Sequence, residues 1–419
     1  MTTTRDPWEG RGDAPRGPPA LTPHPLDPPP KYGPFVPLRW PRFRALWLAG
    51  LVSFLGTWVH NVAARWTAAT LSDSPLAVST VDTLQLLPMV LLSLAAGTLA
   101  DTTDRRRLLV ATHVGLTVVA SGMAFLAWRG LLTLPWLFAA TAALGILGAL
   151  NGPAWQATVP RQVPDDEVPK AVAIMSTGFN LARAIGPAAG AWMLVTLGPA
   201  AAFATNAASY LAIGWLIHRL PPQPPQPGDR ERPSPLRDVG LRGLYATVAL
   251  FGLFAMPSLS LLPVVARDAI GGGAQEYGRL LSAFGLGAVS AGLLVAAIAR
   301  RIGNRGFVVI TTLASALGFG LLSRAGGLDL AMAGAAVCGA GWIGTISTIN
   351  AGVQMRAAPA VRARALAFYL TFAVGGQAAG SFLGGWAASR LGVSHALLVF
   401  GVAQVLLAAG VVAGYRRRA

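Results

Sequence analysis

The sequence has 419 residues, of which 53% are hydrophobic and only 12% are charged. Soluble domains carry roughly a quarter charged residues, so this composition indicates a membrane protein with several spans. The net charge of +16 is compatible with nucleic-acid binding or with basic loops beside a membrane, and the positions of the basic residues decide between the two. The single cysteine, Cys338, excludes a disulfide or a cysteine metal site within one chain.

Apolar runs account for most of the chain. Residues 1–38 are rich in proline and lack the apolar core of a signal peptide, so we expect a disordered cytoplasmic tail. Twelve runs of about the length that a spanning helix needs then follow. They lie at 44–70, 76–100, 107–129, 135–158, 170–197, 199–219, 241–266, 276–299, 306–324, 329–355, 365–390 and 395–415. The sequence therefore predicts an all-α membrane protein with twelve transmembrane helices.

The longest break between these runs divides the chain into two parts. Residues 221–240 contain repeated prolines and charges, a composition that favours a linker over a helix or a core. We expect a cytoplasmic linker there, between an N-terminal six-helix half at 39–220 and a C-terminal six-helix half at 241–419.

The two parts also resemble each other. A shift of about two hundred residues lays Asn151 on Asn350 and Gly186 on Gly380. Parallel repeats of this kind place a substrate path between the halves, near the middle of the membrane.

Basic residues recur in every alternate loop, starting with the loop before the first span and ending at the C-terminal tail. This bias puts both termini in the cytoplasm, facing anionic lipid. A nucleic-acid surface would gather its positive charge on one face, so we expect membrane lipids and no nucleic acid among the partners.

A charged loop from Gly97 to Leu108 separates the second and third runs. Its three adjacent arginines, Arg105 to Arg107, cannot lie in hydrocarbon and mark the cytoplasmic side. Asp101 can neutralise Arg105 or cap the next helix, and Gly97 allows a helix end to pack closely. We therefore expect this loop to be a structural joint.

This loop resembles the one between helices two and three of the major facilitator superfamily, which has the pattern Gly-x-Leu-Ala-Asp-x-x-Gly-Arg-Arg. It matches at Gly97, Leu99, Ala100, Asp101, Arg105 and Arg106. Asp104 stands where most members carry glycine, although the branch containing bacterial siderophore exporters and macrolide efflux proteins often has Asp-Arg-Arg. The resemblance implies the major facilitator fold and a gating role for Gly97, Asp101, Asp104, Arg105 and Arg106.

The fifth run carries a hinge candidate. Pro187 removes a backbone hydrogen bond, and Gly186 and Gly190 allow a kink and a close helix approach. The segment also resembles the Gly-Pro-x-x-Gly segment of the superfamily's antiporters, which implies a proton-coupled exporter. Ordinary packing of small residues is the alternative interpretation.

Charges inside the spans are few, so each one is informative. Arg65 and Asp82 lie at similar depth near the outer ends of the first two spans, where they can pair. The alternatives for this pair are interfacial snorkelling and a structural role in holding the two helices together. Arg183 lies deeper and needs a cavity, a partner or an anionic ligand. Asn180 and Gln377 are amides that can line the same path.

Function follows from this resemblance rather than from a catalytic motif. The chain has no cysteine cluster and no phosphate-binding glycine loop, so we expect neither an enzyme nor a cofactor. The resemblance implies a monomeric secondary transporter of the bacterial inner membrane, which exports an amphiphilic drug- or siderophore-like molecule by proton antiport. The alternatives are a non-transporting membrane sensor or assembly protein with the same fold, and a major facilitator importer.

Overall fold

The computed structural model describes residue 33 and residues 35–224, 238–358 and 361–416. The regular elements in these ranges are all helical. In chain order, the α-helices are α1 Pro41–Leu71, α2 Pro75–Leu91, α3 Ser93–Thr102, α4 Arg105–Trp128, α5 Leu134–Thr158, α6 Val168–His218, α7 Val239–Ala255, α8 Pro257–Ser260, α9 Leu262–Val264, α10 Ala274–Ser323, α11 Leu328–Arg356, α12 Arg362–Leu391 and α13 Val393–Arg416.

Shorter helical turns connect some of these helices. They are 3-10 turns at Val36–Arg39, Val159–Gln162 and Asp165–Glu167, and a π-helix at Val265–Ala269. The turn at Val36–Arg39 includes the last residues of the segment predicted to be a disordered tail. Most of that tail and the middle of the predicted linker lie outside the described residues.

Prolines mark where several helices begin. Pro41, Pro75 and Pro135 stand in the first turns of α1, α2 and α5. The first amide groups of a helix have no partner within it, so proline loses nothing at this position and its fixed φ angle suits the helix. The starts of these three helices therefore follow from local sequence.

Glycines divide the two longest helices. Inside α6, Gly198 has φ 80° and ψ 175°, and inside α10, Gly303 has φ 74° and ψ 156°. Side chains other than glycine rarely adopt such angles, so each helix consists of two arms that meet at its glycine. Gly198 lies between the predicted spans 170–197 and 199–219, and Gly303 lies between 276–299 and 306–324.

The second predicted span is not one straight helix. The sequence predicted a continuous span at 76–100, whereas the structure has α2 and α3 bent by 57°. Pro88, which lacks an amide hydrogen, lies in the last turn of α2 just before the bend. Among the described residues, ten helices are long and apolar enough to cross a membrane, or eleven if the bent pair forms one span. Twelve spans therefore remain a prediction.

The helices form two groups along the chain. We call α1–α6 the first helix group and α7–α13 the second helix group. One hydrophobic core contains buried side chains of both groups, including Val62, Phe203, Phe251 and Tyr277. A smaller core, around Phe43, lies within the first group, near the Arg105–Arg107 loop.

The hydrogen bonds described between the two groups lie at one end of the bundle. Ser381 Oγ donates to the Ser79 carbonyl at 2.8 Å, and the Leu76 amide donates to Ser389 Oγ at 3.1 Å. Both bonds connect the first half of α2 to α12, on the side where α1 ends and α2 begins. We call this the joined end, and the opposite end, which carries Arg105–Arg107, the arginine end.

At the start of α7, Asp238 accepts hydrogen bonds from the backbone amides of Gly240 at 2.7 Å and Leu241 at 3.2 Å. Its carboxylate also binds Arg356 Nε at 2.9 Å. Burial by itself would raise the pKa of Asp238, but the hydrogen bonds from Arg356 and the amides outweigh it and hold the pKa below its usual value. The cap therefore fixes the beginning of the second group.

Candidate functional site between the helix groups

Asp104 caps the helix that follows the charged loop. Its carboxylate accepts hydrogen bonds from the backbone amides of Arg106 at 2.9 Å and Arg107 at 3.2 Å. Asp101 instead lies 3.6 Å from Arg105 Nη2, and its side chain is 50% exposed. An exposed pair at this distance contributes little stability. The cap at α4 is therefore made by Asp104, and Asp101 is only weakly held in this arrangement.

The arginines of this loop bind backbone carbonyl groups. Arg105 is buried and donates from Nε to the Ala100 carbonyl at 3.2 Å. Arg106 Nη2 donates to the carbonyl of His218, at the end of α6, at 2.5 Å. The backbone amide of Arg105 also donates to the Gln223 carbonyl at 3.2 Å. The loop thus ties the start of α4 to the segment that follows α6.

Gly97 does not make the close contact that the sequence predicted. A Cβ atom at this position would meet nothing within 4 Å. The expectation of tight packing at Gly97 is therefore wrong for this arrangement, because α3 does not press its glycine against a neighbouring helix.

The segment Gly186–Gly190 packs tightly against α1. A Cβ atom on Gly186 would fall within van der Waals overlap of the Trp58 ring, and one on Gly190 would lie 2.9 Å from Val62 Cγ2. The predicted close approach is present. The non-helical backbone inside α6 is at Gly198, and the hinge role of Gly186, Pro187 and Gly190 stays a prediction.

We expect Gly186→Ala to push α1 and α6 apart, because the added methyl group would collide with Cβ and Cγ of Trp58, close to its backbone. The free energy of unfolding should fall by about 1–3 kcal/mol, and the midpoint of thermal unfolding in detergent should fall with it. Gly148→Ala is the matched control, because a Cβ there meets nothing within 4 Å. Equal midpoints for the two variants would contradict this contact.

Arg65 and Asp82 form a buried ion pair near the joined end. Arg65 Nε and Nη2 lie 2.8 and 2.7 Å from Asp82 Oδ1, and each residue is only 4% exposed. Both bonds use the same carboxylate oxygen. Asp82 Oδ2 and Arg65 Nη1 are buried without a hydrogen-bond partner in the described structure. The pair is therefore tightly held but incompletely satisfied.

Tyr277, on α10, lies beside this pair, and the sequence did not single it out. Its hydroxyl group interacts electrostatically with both Arg65 and Asp82, and its ring stacks on Trp66 at 5.6 Å between centroids. Tyr277 is fully buried. The ion pair of the first group is therefore covered by a side chain of the second group.

Arg267 makes a further connection at the joined end. From the π-helix of the second group it donates to three carbonyl groups at the end of α1, Ala69 at 2.5 Å, Ser72 at 2.7 Å and Asp73 at 3.0 Å. The last carbonyl groups of a helix lack partners within it and carry partial negative charge, so an arginine is well suited to them. No sequence motif indicated this contact, and Arg267 was predicted only to lie outside the spans.

Arg183 lies near the middle of the first arm of α6 and is half-buried. It interacts electrostatically with Tyr369 on α12, so it faces the second helix group. Gln377 lies further along α12 and packs against Gly252 of α7. The structure does not describe a contact between Gln377 and Arg183. The Asn180 side chain is outside the described part of the structure, so its predicted role stays a prediction.

These features define a class of protein: an all-helical membrane protein whose two helix groups meet around buried charges. Residues 32–419 match the family described as Transmembrane secretion effector, one of the MFS families. The chain belongs to this family of the major facilitator superfamily, whose members are transporters and not enzymes.

Two curated relatives have names that mention siderophores. The Staphyloferrin A transporter of Staphylococcus aureus is 25% identical over 266 residues, which cover 60% of this chain and 66% of that protein. The Enterobactin exporter EntS of Shigella flexneri is 28% identical over 387 residues, covering 88% of this chain and 92% of that protein. The chain thus matches just under two thirds of the Staphylococcus protein and most of the Shigella protein.

Solved structures share the fold. A bacterial homologue of the human lysosomal transporter Spinster, in an inward-facing and unoccupied conformation, aligns with a TM-score of 0.70 and 14% identity over 91% of this chain and 98% of that one. The nucleoside transporter NupG aligns with a TM-score of 0.65 and 16% identity over 90% of this chain and 99% of that one. At such low identity these similarities concern the fold alone.

Proposed function

We propose that this protein is a proton-coupled exporter of an amphiphilic small molecule, of the drug or siderophore type. It works by alternating access between two six-helix halves, 39–220 and 241–419, joined by a cytoplasmic linker. It lies in the bacterial inner membrane with both termini in the cytoplasm, as a twelve-span monomer. The observation that carries the proposal is the buried Arg65–Asp82 pair at the contact between the helix groups.

Alternating access requires two arrangements of the helix groups. The described hydrogen bonds between them lie at the joined end, which the proposed topology places outside the cell. This arrangement corresponds to the state that loads substrate from the cytoplasm. Export then requires the joined end to open, which breaks the Arg267 contacts with α1 and exposes Asp82 to the outside.

The ion pair supplies a route for coupling. When the joined end is open, Asp82 takes up a proton from outside. When this end closes again, Arg65 returns and pairs with the Asp82 carboxylate, so the proton is released while the cavity faces the cytoplasm. One proton therefore enters the cell for each cycle in which substrate leaves.

Relatives support export as the direction and siderophores as one substrate type. The Shigella relative is named an enterobactin exporter and the Staphylococcus relative a staphyloferrin A transporter. The test compares accumulation of hydrophobic cations, macrolides and catecholate siderophores in cells with and without the protein. Lower accumulation of at least one class supports export. Higher accumulation indicates an importer, and no difference for any class favours a non-transporting role.

We expect Asp101→Asn to reduce transport strongly while leaving abundance and thermal stability unchanged. Its pair with Arg105 is long and half-exposed here, so it contributes little to stability in this arrangement. The effect should come from the other state, where the carboxylate holds the loop against a neighbouring helix end. Asp329→Asn, at the start of α11, is a control with the same change of charge. Export at the wild-type rate by Asp101→Asn would remove the gating role.

A further inference from the structure

We propose that Arg183 binds an anionic group of the transported molecule, so that the substrate is an organic anion. The inference rests on the proposed transport function and adds the charge of the molecule that is carried.

The interior of the described structure carries one uncompensated positive charge. Arg183 is fifteen residues from either end of the first arm of α6, or about 22 Å at ~1.5 Å per residue. The next deepest charges, Arg65 and Asp82, neutralise each other. No acid, hydrogen-bond acceptor or ion pair is described for Arg183; its described electrostatic neighbour is the Tyr369 hydroxyl group. A cation at this depth calls for an anionic partner, and the described side chains do not supply one.

The second helix group adds neutral polar groups near the guanidinium group. The Tyr369 hydroxyl donates to the Ile346 carbonyl at 2.9 Å and lies within hydrogen-bonding reach of Asn350. Arg183 thus lies near the phenol of Tyr369 on α12, which is itself close to the amide of Asn350 on α11. A guanidinium binds planar oxyanions such as carboxylate through two parallel hydrogen bonds, and a neighbouring amide group can complete the set. Because the groups come from both helix groups, a bound anion bridges them.

The surroundings of Arg183 within the first group are aromatic. Phe179 lies one helical turn before Arg183 and contacts Phe54 edge to face at 5.3 Å between ring centroids. Phe54 also lines a shallow cleft that extends toward the arginine end. The other side chains lining this cleft include Trp47, Leu51, Trp155 and Met175. A molecule with an anionic group at Arg183 can therefore lay a flat apolar body against these aromatic rings.

The test uses two probes that differ only in charge, 2-naphthoate and 2-naphthamide. We measure the thermal unfolding midpoint of the purified full-length protein in detergent as each probe is titrated, because a ligand that binds the folded state raises this midpoint. We expect 2-naphthoate to stabilise the wild type at concentrations at which 2-naphthamide does not. In Arg183→Gln, the apparent affinity for 2-naphthoate should fall by about tenfold or more.

Two controls separate binding from folding. Without probe, Arg183→Gln should be at least as stable as the wild type, because the substitution removes a half-buried charge with no described counterion. A large loss of stability would indicate a structural role and overturn the inference. Arg129→Gln makes the same change at the exposed end of α4 and should bind 2-naphthoate like the wild type.

Other outcomes would also overturn the inference. These are no stabilisation by 2-naphthoate, equal stabilisation by both probes, and an unchanged effect of 2-naphthoate in Arg183→Gln. Titration with short-chain phosphatidylglycerol and phosphatidylcholine tests a lipid as the source of the anion. Stabilisation that depends on Arg183 and occurs with phosphatidylglycerol but not with 2-naphthoate would assign the site to a lipid headgroup.

The proposed function can survive the failure of this inference. If cells export a cationic compound through the protein and Arg183→Gln exports it equally well, the transport function is supported and the anion site at Arg183 is rejected. If the wild type exports none of the compound classes, the proposed function itself fails, whatever 2-naphthoate does.

Discussion

Asp82→Asn is expected to abolish export driven by a pH gradient while the protein remains folded in the membrane. Asparagine keeps an oxygen in place to accept the hydrogen bonds from Arg65 but carries neither the charge nor the proton. The substitution therefore removes the group that takes up a proton when the joined end opens. Exchange of substrate without a gradient, which needs no proton, should continue in proteoliposomes.

A measurement that needs no substrate checks the same variant. Spin labels on cysteines at Leu71 and Leu391, which are 41% and 50% exposed, report the separation of α1 and α12 at the joined end. The buried Cys338 is replaced by alanine for this purpose. In the wild type, lowering the pH should enlarge the population with a longer distance, because protonation of Asp82 breaks its attraction to Arg65. In Asp82→Asn, the distance distribution should not change with pH.

Glu276→Gln is the matched control for Asp82→Asn. Glu276 accepts the Gly273 amide at 2.7 Å at the start of α10, and glutamine can keep that bond. This variant should transport with normal coupling. Normal coupling in Asp82→Asn would instead move the carrier role to Glu276 or Asp101, or indicate a facilitator that uses no proton.

Parts of this arrangement could be predicted because they depend on local chemistry or on depth along one helix. Hydropathy places the helices, since a bilayer fixes the length of a span. Arg65 and Asp82 could be paired because each lies about 10 Å from the same end of neighbouring helices, at ~1.5 Å per residue. The pairing is local, since the two residues are only 17 positions apart.

Contacts between the helix groups could not be predicted in the same way. Tyr277 and Arg267 lie about 200 residues from the side chains and carbonyl groups that they contact, and neither belongs to a sequence motif. Gly97 shows the opposite error, because a motif position implied close packing that this arrangement does not contain. Such contacts depend on which end of the bundle is joined. They belong to one conformation, whereas the sequence is common to all of them.

Arg267→Ala is expected to open the joined end. The wild-type side chain holds three carbonyl groups at the end of α1 and lies beside Asp268, with Arg267 Nε 2.6 Å from Asp268 Oδ1. Hydrogen bonds from a charged donor contribute about 1.5–3 kcal/mol each when buried, but the Arg267 side chain is 21% exposed and water can replace part of the loss. A total effect of about 2 kcal/mol would shift the ratio of open to joined states roughly 30-fold.

The same spin-labelled pair measures this shift. Arg267→Ala should gain a long-distance population at neutral pH, where the wild type is mostly joined. The long-distance population of Arg267→Lys should lie between those of the wild type and Arg267→Ala. Lysine keeps the charge but lacks the planar guanidinium group that binds several carbonyl groups at once. Arg390→Ala, on the exposed end of α12 at the same side of the bundle, controls for the loss of a positive charge. If Arg267→Ala keeps the wild-type distances, the contact with α1 is not what holds this end closed. The Arg65–Asp82–Tyr277 cluster and the hydrogen bonds between α2 and α12 must then carry that role.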